Sequence, residues 1–162
     1  MLDLACDDAL RTNFAIRRKT SADERAVIDQ LVAHPLLMLG SSDGGAHLLT
    51  FCGADYTTRF ISEHVPDRLS IEQAVQKLTF APATSLGLWD RGLIRPGMAG
   101  DLVVFDPKRV AVGAVEMRHD FPTRAPRSIC GNEGYAATIV NGTVVYGGGA
   151  FTDALPGRVL RR

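Results

Sequence analysis

Asp43 is the side chain whose surroundings in this sequence most suggest chemistry. Leu36, Leu37, Met38 and Leu39 make an apolar run too short for a typical helix, closed by Gly40, Ser41 and Ser42. Such a run predicts a buried parallel strand that delivers Asp43 to its C-terminal edge. In barrel enzymes that edge collects the reacting groups, while the opposite face mostly serves stability. A lone carboxylate there can take up and return a proton. From spacing alone, an aspartate that closes a turn after a strand reads equally well. His47 follows across Gly44 and Gly45; it can orient Asp43, face a substrate carboxylate, or be an ordinary loop histidine. The two glycines supply backbone angles closed to other residues or leave room for a ligand.

Residues 40–44 also fit G-x-S-x-G, the strand-to-helix elbow that exposes a nucleophilic serine, here Ser42. A serine triad in that chain order needs an acid and then a histidine, which Asp101 or Asp106 followed by His119 supply on paper. About forty residues precede Ser42, too few for most of the sheet that such an elbow terminates. The 101–106 region reads instead as a strand of an antiparallel unit with flanking carboxylates. His34 sits at a helix end, where a cation complements the dipole, and His64 and His119 lie in polar stretches.

These groups need elements to hold them. Residues 13–16 form a short strand candidate. Ser21 and Glu24 have capping-box spacing, and Ala26, Val27, Leu31 and Val32 then recur at helical intervals until Pro35. Strand, capped helix and strand make one β-α-β unit with parallel strands. A second capping box at Ser70 and Gln73 opens a helix with Ile71, Ala74, Val75 and Leu78 on its apolar face. Pro82 lies in the first turn of another short helix. Residues 48–68 form a long polar-aromatic connection, helical in part. Beyond residue 90 the pattern changes to short β-branched runs between turns. Arg95, Pro96, Gly97 and Met98 fit a type II turn, residues 101–105 a strand, and Asn141-Gly142 a hairpin turn between 138–140 and 143–145. Residues 147–149 and the arginine-rich end read as surface loop and tail.

Composition excludes several classes. With 162 residues, 46% hydrophobic and 22% charged, the chain is globular rather than disordered. Formal net charge is zero, and no run of Lys or Arg offers a nucleic-acid or anionic-membrane footprint. No stretch is long and apolar enough to span a bilayer, and the N-terminus lacks a secretory pattern. Cys6, Cys52 and Cys130 have no C-x-x-C spacing and fit reduced thiols in a cytoplasmic protein.

The segment ending Gly-Ser-Ser-Asp-Gly-Gly at 40–45, the stretch 69–88, and Gly-Leu-Ile-Arg-Pro-Gly-Met-Ala-Gly-Asp-Leu-Val-Val-Phe-Asp at 92–106 together resemble the amidohydrolase superfamily. The nearest group within it is the D-aminoacylase (N-acyl-D-amino-acid deacylase) group. Ile139 to Gly142 and the tail from Ala154 to Arg158 resemble the end of those proteins. The resemblance implies a (β/α)8 barrel holding one or two zinc ions, flanked by a small β-sandwich. It implies that Asp43 accepts a proton from the metal-bound water and touches the metal, and that the substrate is a small N-acyl amino acid; from their place after Asp43, Gly44 and His47 are the candidate substrate contacts.

The family's H-x-H pair is absent from this sequence. A barrel of this type takes about 250 residues, against about ninety here. The expected architecture is therefore α/β: residues 1–90 supply the last β/α units of an incomplete barrel, and 91–162 a β-rich segment of the sandwich. The expectation is a C-terminal portion, inactive alone, whose partner is the missing N-terminal half of the barrel. The alternatives are a non-catalytic binding module reusing the scaffold and the Ser42 hydrolase.

Overall fold

The computed structural model describes residues 2–9, 19–42, 44–46, 48–49 and 53–160. It divides into two compact units, Met1–Val32 and Ala33–Arg162. The first contains α1 (Leu2–Asp7) and most of α2 (Ala22–Ala33). The expected capping box forms at α2: the Ser21 amide donates to Glu24 Oε2 (2.9 Å) and the Glu24 amide to Ser21 Oγ (3.2 Å). The apolar side of this helix is uncovered, however, and none of its residues is buried.

In the second unit three helices precede all the strands: α3 (Tyr56–His64), α4 (Ile71–Leu78) and α5 (Phe80–Ser85). Ser70 caps α4 through a complete capping box with Gln73. Two orphan amides are thereby satisfied, so Ser70→Ala should cost about 1 kcal/mol, read as a lower midpoint in urea at unchanged slope. Pro82 falls in the first turn of α5, where its missing N–H breaks no helical bond. The connection 48–68 is helical in part, as expected, because α3 lies within it.

Among the described residues every strand pairing is antiparallel. β1 (Leu102–Phe105), β4 (Tyr135–Val140), β5 (Thr143–Gly147) and β6 (Ala150–Phe151) form one sheet in the order β1-β4-β5-β6, and β2 (Ala111–Arg118) pairs with β3 (Arg127–Glu133) in another. The turn before β1 closes through the Met98 amide on the Arg95 carbonyl (3.1 Å), with Gly97 at φ +86°. Asn141 and Gly142, at φ +48° and +77°, link β4 to β5 as their dipeptide predicts. The small core comprises Phe60, Ile61, Leu69, Ala74, Ala83 and Val110, with Thr58 buried among them. Thr58 Oγ1 shares a hydrogen bond with the Tyr135 hydroxyl (2.9 Å), joining α3 to β4.

Several expectations are corrected here. Residues 37–42 are not a strand; among the described residues every strand lies at Leu102 or beyond. Leu36 is 84% exposed, and Leu37 and Met38 are close to half exposed. A strand is defined by its ladder, and no described strand flanks this run. The partner expected at 13–16 lies outside the described residues. Residues 148–149, expected as loop, are instead the turn of a further hairpin that pairs β5 with β6. The β2–β3 hairpin was not anticipated, because its strands are broken by Gly113 and Gly131 and joined by a long connection. No helix among the described residues is long and apolar enough to cross a membrane.

Candidate functional site

The segment running from α2 toward Asp43 is held by side chains reaching backbone. Leu37 N–H donates to the His34 carbonyl (3.2 Å) and Leu36 N–H to His34 Nδ1 (3.2 Å), which closes a turn after the helix. His34 thus lies at a helix end as expected, but its ring acts there as the acceptor that closes the turn and not as a charge set against the dipole. Lys77, half-buried on α4, donates through Nζ to the carbonyls of His34 (2.6 Å) and Leu37 (2.8 Å). Ser85 at the end of α5 donates to Met38 Sδ (3.0 Å).

Asp43 and His47 lie outside the described residues; Ser42 and Gly44, on either side of Asp43, are described. Ser42 Oγ accepts from the Gly44 amide (3.1 Å). A Cβ on Gly44 would meet Ser42 Oγ at 3.0 Å, Ala54 N at 3.2 Å and Gly53 C at 3.3 Å. Glycine is explained there by close approach of two backbones. Gly45 has open space but φ +92°, so it is the angle that requires glycine.

The acids available to a Ser42 triad are committed elsewhere. Asp101 takes Arg91 Nη1 on Oδ2 (2.6 Å) and the Asn141 amide on Oδ1 (2.8 Å), clasping the entry of β1 to the β4–β5 turn. Arg91 also engages Asp90 and holds that carboxyl below the usual carboxylate range. Asp106 Oδ1 accepts from the Lys108 amide (2.9 Å) in a local turn. These are strand-flanking structural carboxylates, engaged with Arg91 and with the Asn141 and Lys108 amides rather than with a histidine.

Arg59 on α3 bridges Asp55 and Glu63, and both carboxylates raise its pKa. Sequence reasoning did not rank it, and its partners sit one turn away on either side, which makes it a helix-surface network. Among the described residues no three of His, Cys, Asp or Glu come together to hold a metal ion. Cys6 is exposed, and Cys130 Sγ donates to the carbonyls of Gly113 (3.6 Å) and Gly131 (3.4 Å) within the β2–β3 hairpin.

A cleft of about 890 Å³ opens between α4, α5 and β1. Leu78, Phe80, Ile94 and Val103 make it largely apolar, and Glu72, Gln73, Gln76, Asp101 and Tyr135 are among its polar lining. Nothing in the sequence pattern announced it, since its walls come from segments far apart in the chain.

Comparison with known proteins bears on this geometry. The model of the amidohydrolase family matches residues 8–146. An N-acyl-D-aspartate deacylase of Alcaligenes xylosoxydans xylosoxydans is 32% identical over 145 residues, covering 85% of this chain and 26% of that protein. A D-aminoacylase of the same organism is 39% identical over 92 residues, covering 57% of this chain and 17% of its own length. A D-phenylhydantoinase of Escherichia coli O1:K1 / APEC is 32% identical over 106 residues, 64% of this chain and 23% of that one. Among solved structures, a D-aminoacylase variant in complex with copper chloride superposes with TM-score 0.61 and 29% identity, covering 86% of this chain and 28% of that one. The chain spans about a quarter or less of the length of these curated relatives.

Proposed function

This chain belongs to the amidohydrolase family, and from that premise we propose that it forms one portion of a catalytic unit that hydrolyses a non-peptide amide bond. The proposed substrate is an N-acyl-D-amino acid. The observation that carries this reading is the match of 85% of the chain to an N-acyl-D-aspartate deacylase, supported by the superposition on a D-aminoacylase. The rest of the unit, including the earlier part of the barrel, is proposed as the chain's partner.

In this reading the chain contributes Asp43. Its carboxylate takes a proton from the water that adds to the acyl carbon. It returns that proton to the amide nitrogen as the carbon–nitrogen bond breaks, releasing a carboxylic acid and a free amine. Gly44 and His47 lie beside the substrate, with His47 facing its carboxylate. Zinc is the ion the family resemblance implies, but a catalytic zinc takes about three protein ligands and an open position. The described residues do not gather such a set, so they do not fit the ion by themselves. The proton transfer is therefore derived for Asp43 alone.

The test is a hybrid in which this chain replaces the 145 matched residues of the N-acyl-D-aspartate deacylase. A panel of N-acetyl-D- and N-acetyl-L-amino acids is then assayed for released amine. Turnover of D-substrates is expected. A folded hybrid that releases nothing, or that prefers L-substrates, would refute the substrate class.

A further inference from the structure

We propose that Lys77 is a positioning residue for this site: its ammonium fixes the path of residues 34–42, the segment that leads into Asp43. The inference rests on the amide-hydrolase reading for its functional meaning, but its structural content is independent of it.

Residues 37–42 have no ladder and no helix to hold them. No ladder or helical bond orders their backbone, so the path of the segment depends on the individual bonds that reach it from elsewhere. Lys77 Nζ makes two of them at once, to the carbonyls of His34 (2.6 Å) and Leu37 (2.8 Å), from 43 and 40 residues further along the chain. The His34 carbonyl also receives the Leu37 amide, so the ammonium sits at the mouth of the turn and holds it closed. Hydrogen bonds from a charged donor are roughly twice as strong as neutral ones, and Lys77 makes two of them to one short stretch of backbone. Ser85 on Met38 and the seating of Gly44 on residues 53–54 guide the segment further on. Both α4 and α5 therefore act on it, and Lys77 is the single charged fastener among these contacts.

Lys77 also lies one residue before the end of a capped helix whose Ala74 is fully buried, so its stem has a rigid base. No local signal in the sequence would mark it, because its apolar neighbours read as an ordinary amphipathic helix with one cation in its last turn.

Hydrogen exchange on the full 162-residue chain tests the proposal. Lys77→Met should speed exchange of the Leu36 and Leu37 amides, which donate to His34, at least about tenfold, while amides of α4 and β4 keep their protection. Lys77→Arg, which can still donate to two carbonyls, should restore slow exchange, and Lys77→Gln, with a shorter neutral donor, should fall between. Should Lys77→Met unfold the chain, the comparison of Lys77→Gln with Lys77→Arg decides. Equal exchange at Leu36 and Leu37 for all variants would overturn the proposal, as would a failure of arginine to rescue. The readout involves no turnover. Loss of hybrid activity with exchange behaving as stated would sink the amide-hydrolase reading and leave the positioning role standing.

Discussion

Asp43→Asn in the hybrid deacylase should lower kcat by about 10²- to 10⁴-fold, the range typical of a lost acid–base group, with KM nearly unchanged. The asparagine amide keeps the size of the side chain and removes its ability to accept and return a proton. Ser42→Ala should change kcat by less than about threefold, because Ser42 Oγ is an acceptor for the Gly44 amide (3.1 Å) and the carboxylates of Asp101 and Asp106 are bound elsewhere. The pair of variants is decisive in both directions. A dead Ser42→Ala enzyme, or labelling of Ser42 by a fluorophosphonate, would restore the nucleophilic elbow. An active Asp43→Asn enzyme would remove the proton carrier on which the proposed reaction rests.

Gly134→Ala should be the most damaging small substitution in the β-rich part of the chain. Gly134 turns the chain from β3 into β4 at φ +85°, and its carbonyl accepts the Asp106 amide (2.8 Å) just after β1. An added Cβ would lie 2.6 Å from Val110 N and 2.7 Å from Arg109 C, both rigid backbone atoms. The strained angle costs about 1–3 kcal/mol, and overpacking adds about 1–3 kcal/mol. A loss on the order of 3 kcal/mol or more is expected in urea unfolding. Gly142→Ala provides the control: its φ is also positive, at +77°, but no atom lies within 4 Å of the added carbon. It should cost the angle alone, about 1 kcal/mol. Equal losses at the two positions would show that space at Gly134 is irrelevant.

Apolar surface is distributed unevenly over the described residues. Val27, Ile28 and Leu31 on α2, Leu36 beyond it, and Val103 and Val104 on the edge strand β1 are all substantially exposed. Val27 and Leu31 belong to the helical periodicity of α2, and Val103 and Val104 to the run that marked β1. Patterning therefore marked which faces are apolar, and it could not say which of them find a cover.

The sequence by itself determined what depends on a few neighbouring residues. The capping boxes at Ser21 and Ser70, the turn at Pro96-Gly97 and the Asn141-Gly142 hairpin are all where their spacing puts them. Each closes within three or four residues, so its energy is set by local backbone angles and a nearby donor or acceptor. It also nominated Asp43 and Gly44 and supplied the resemblance to the amidohydrolase family that the comparisons bear out. Only the tertiary structure decided that the apolar run before Asp43 is not a strand, that Gly44 is seated on residues 53–54, and that Lys77 reaches back to His34 and Leu37. The physical reason is the same in each case. An apolar run becomes a strand only if a partner presents a free edge, and a lysine becomes a fastener only if unpaired carbonyls lie within reach. Both depend on what the chain brings together from beyond the neighbouring residues, forty or more of them in the case of Lys77, which no local periodicity encodes.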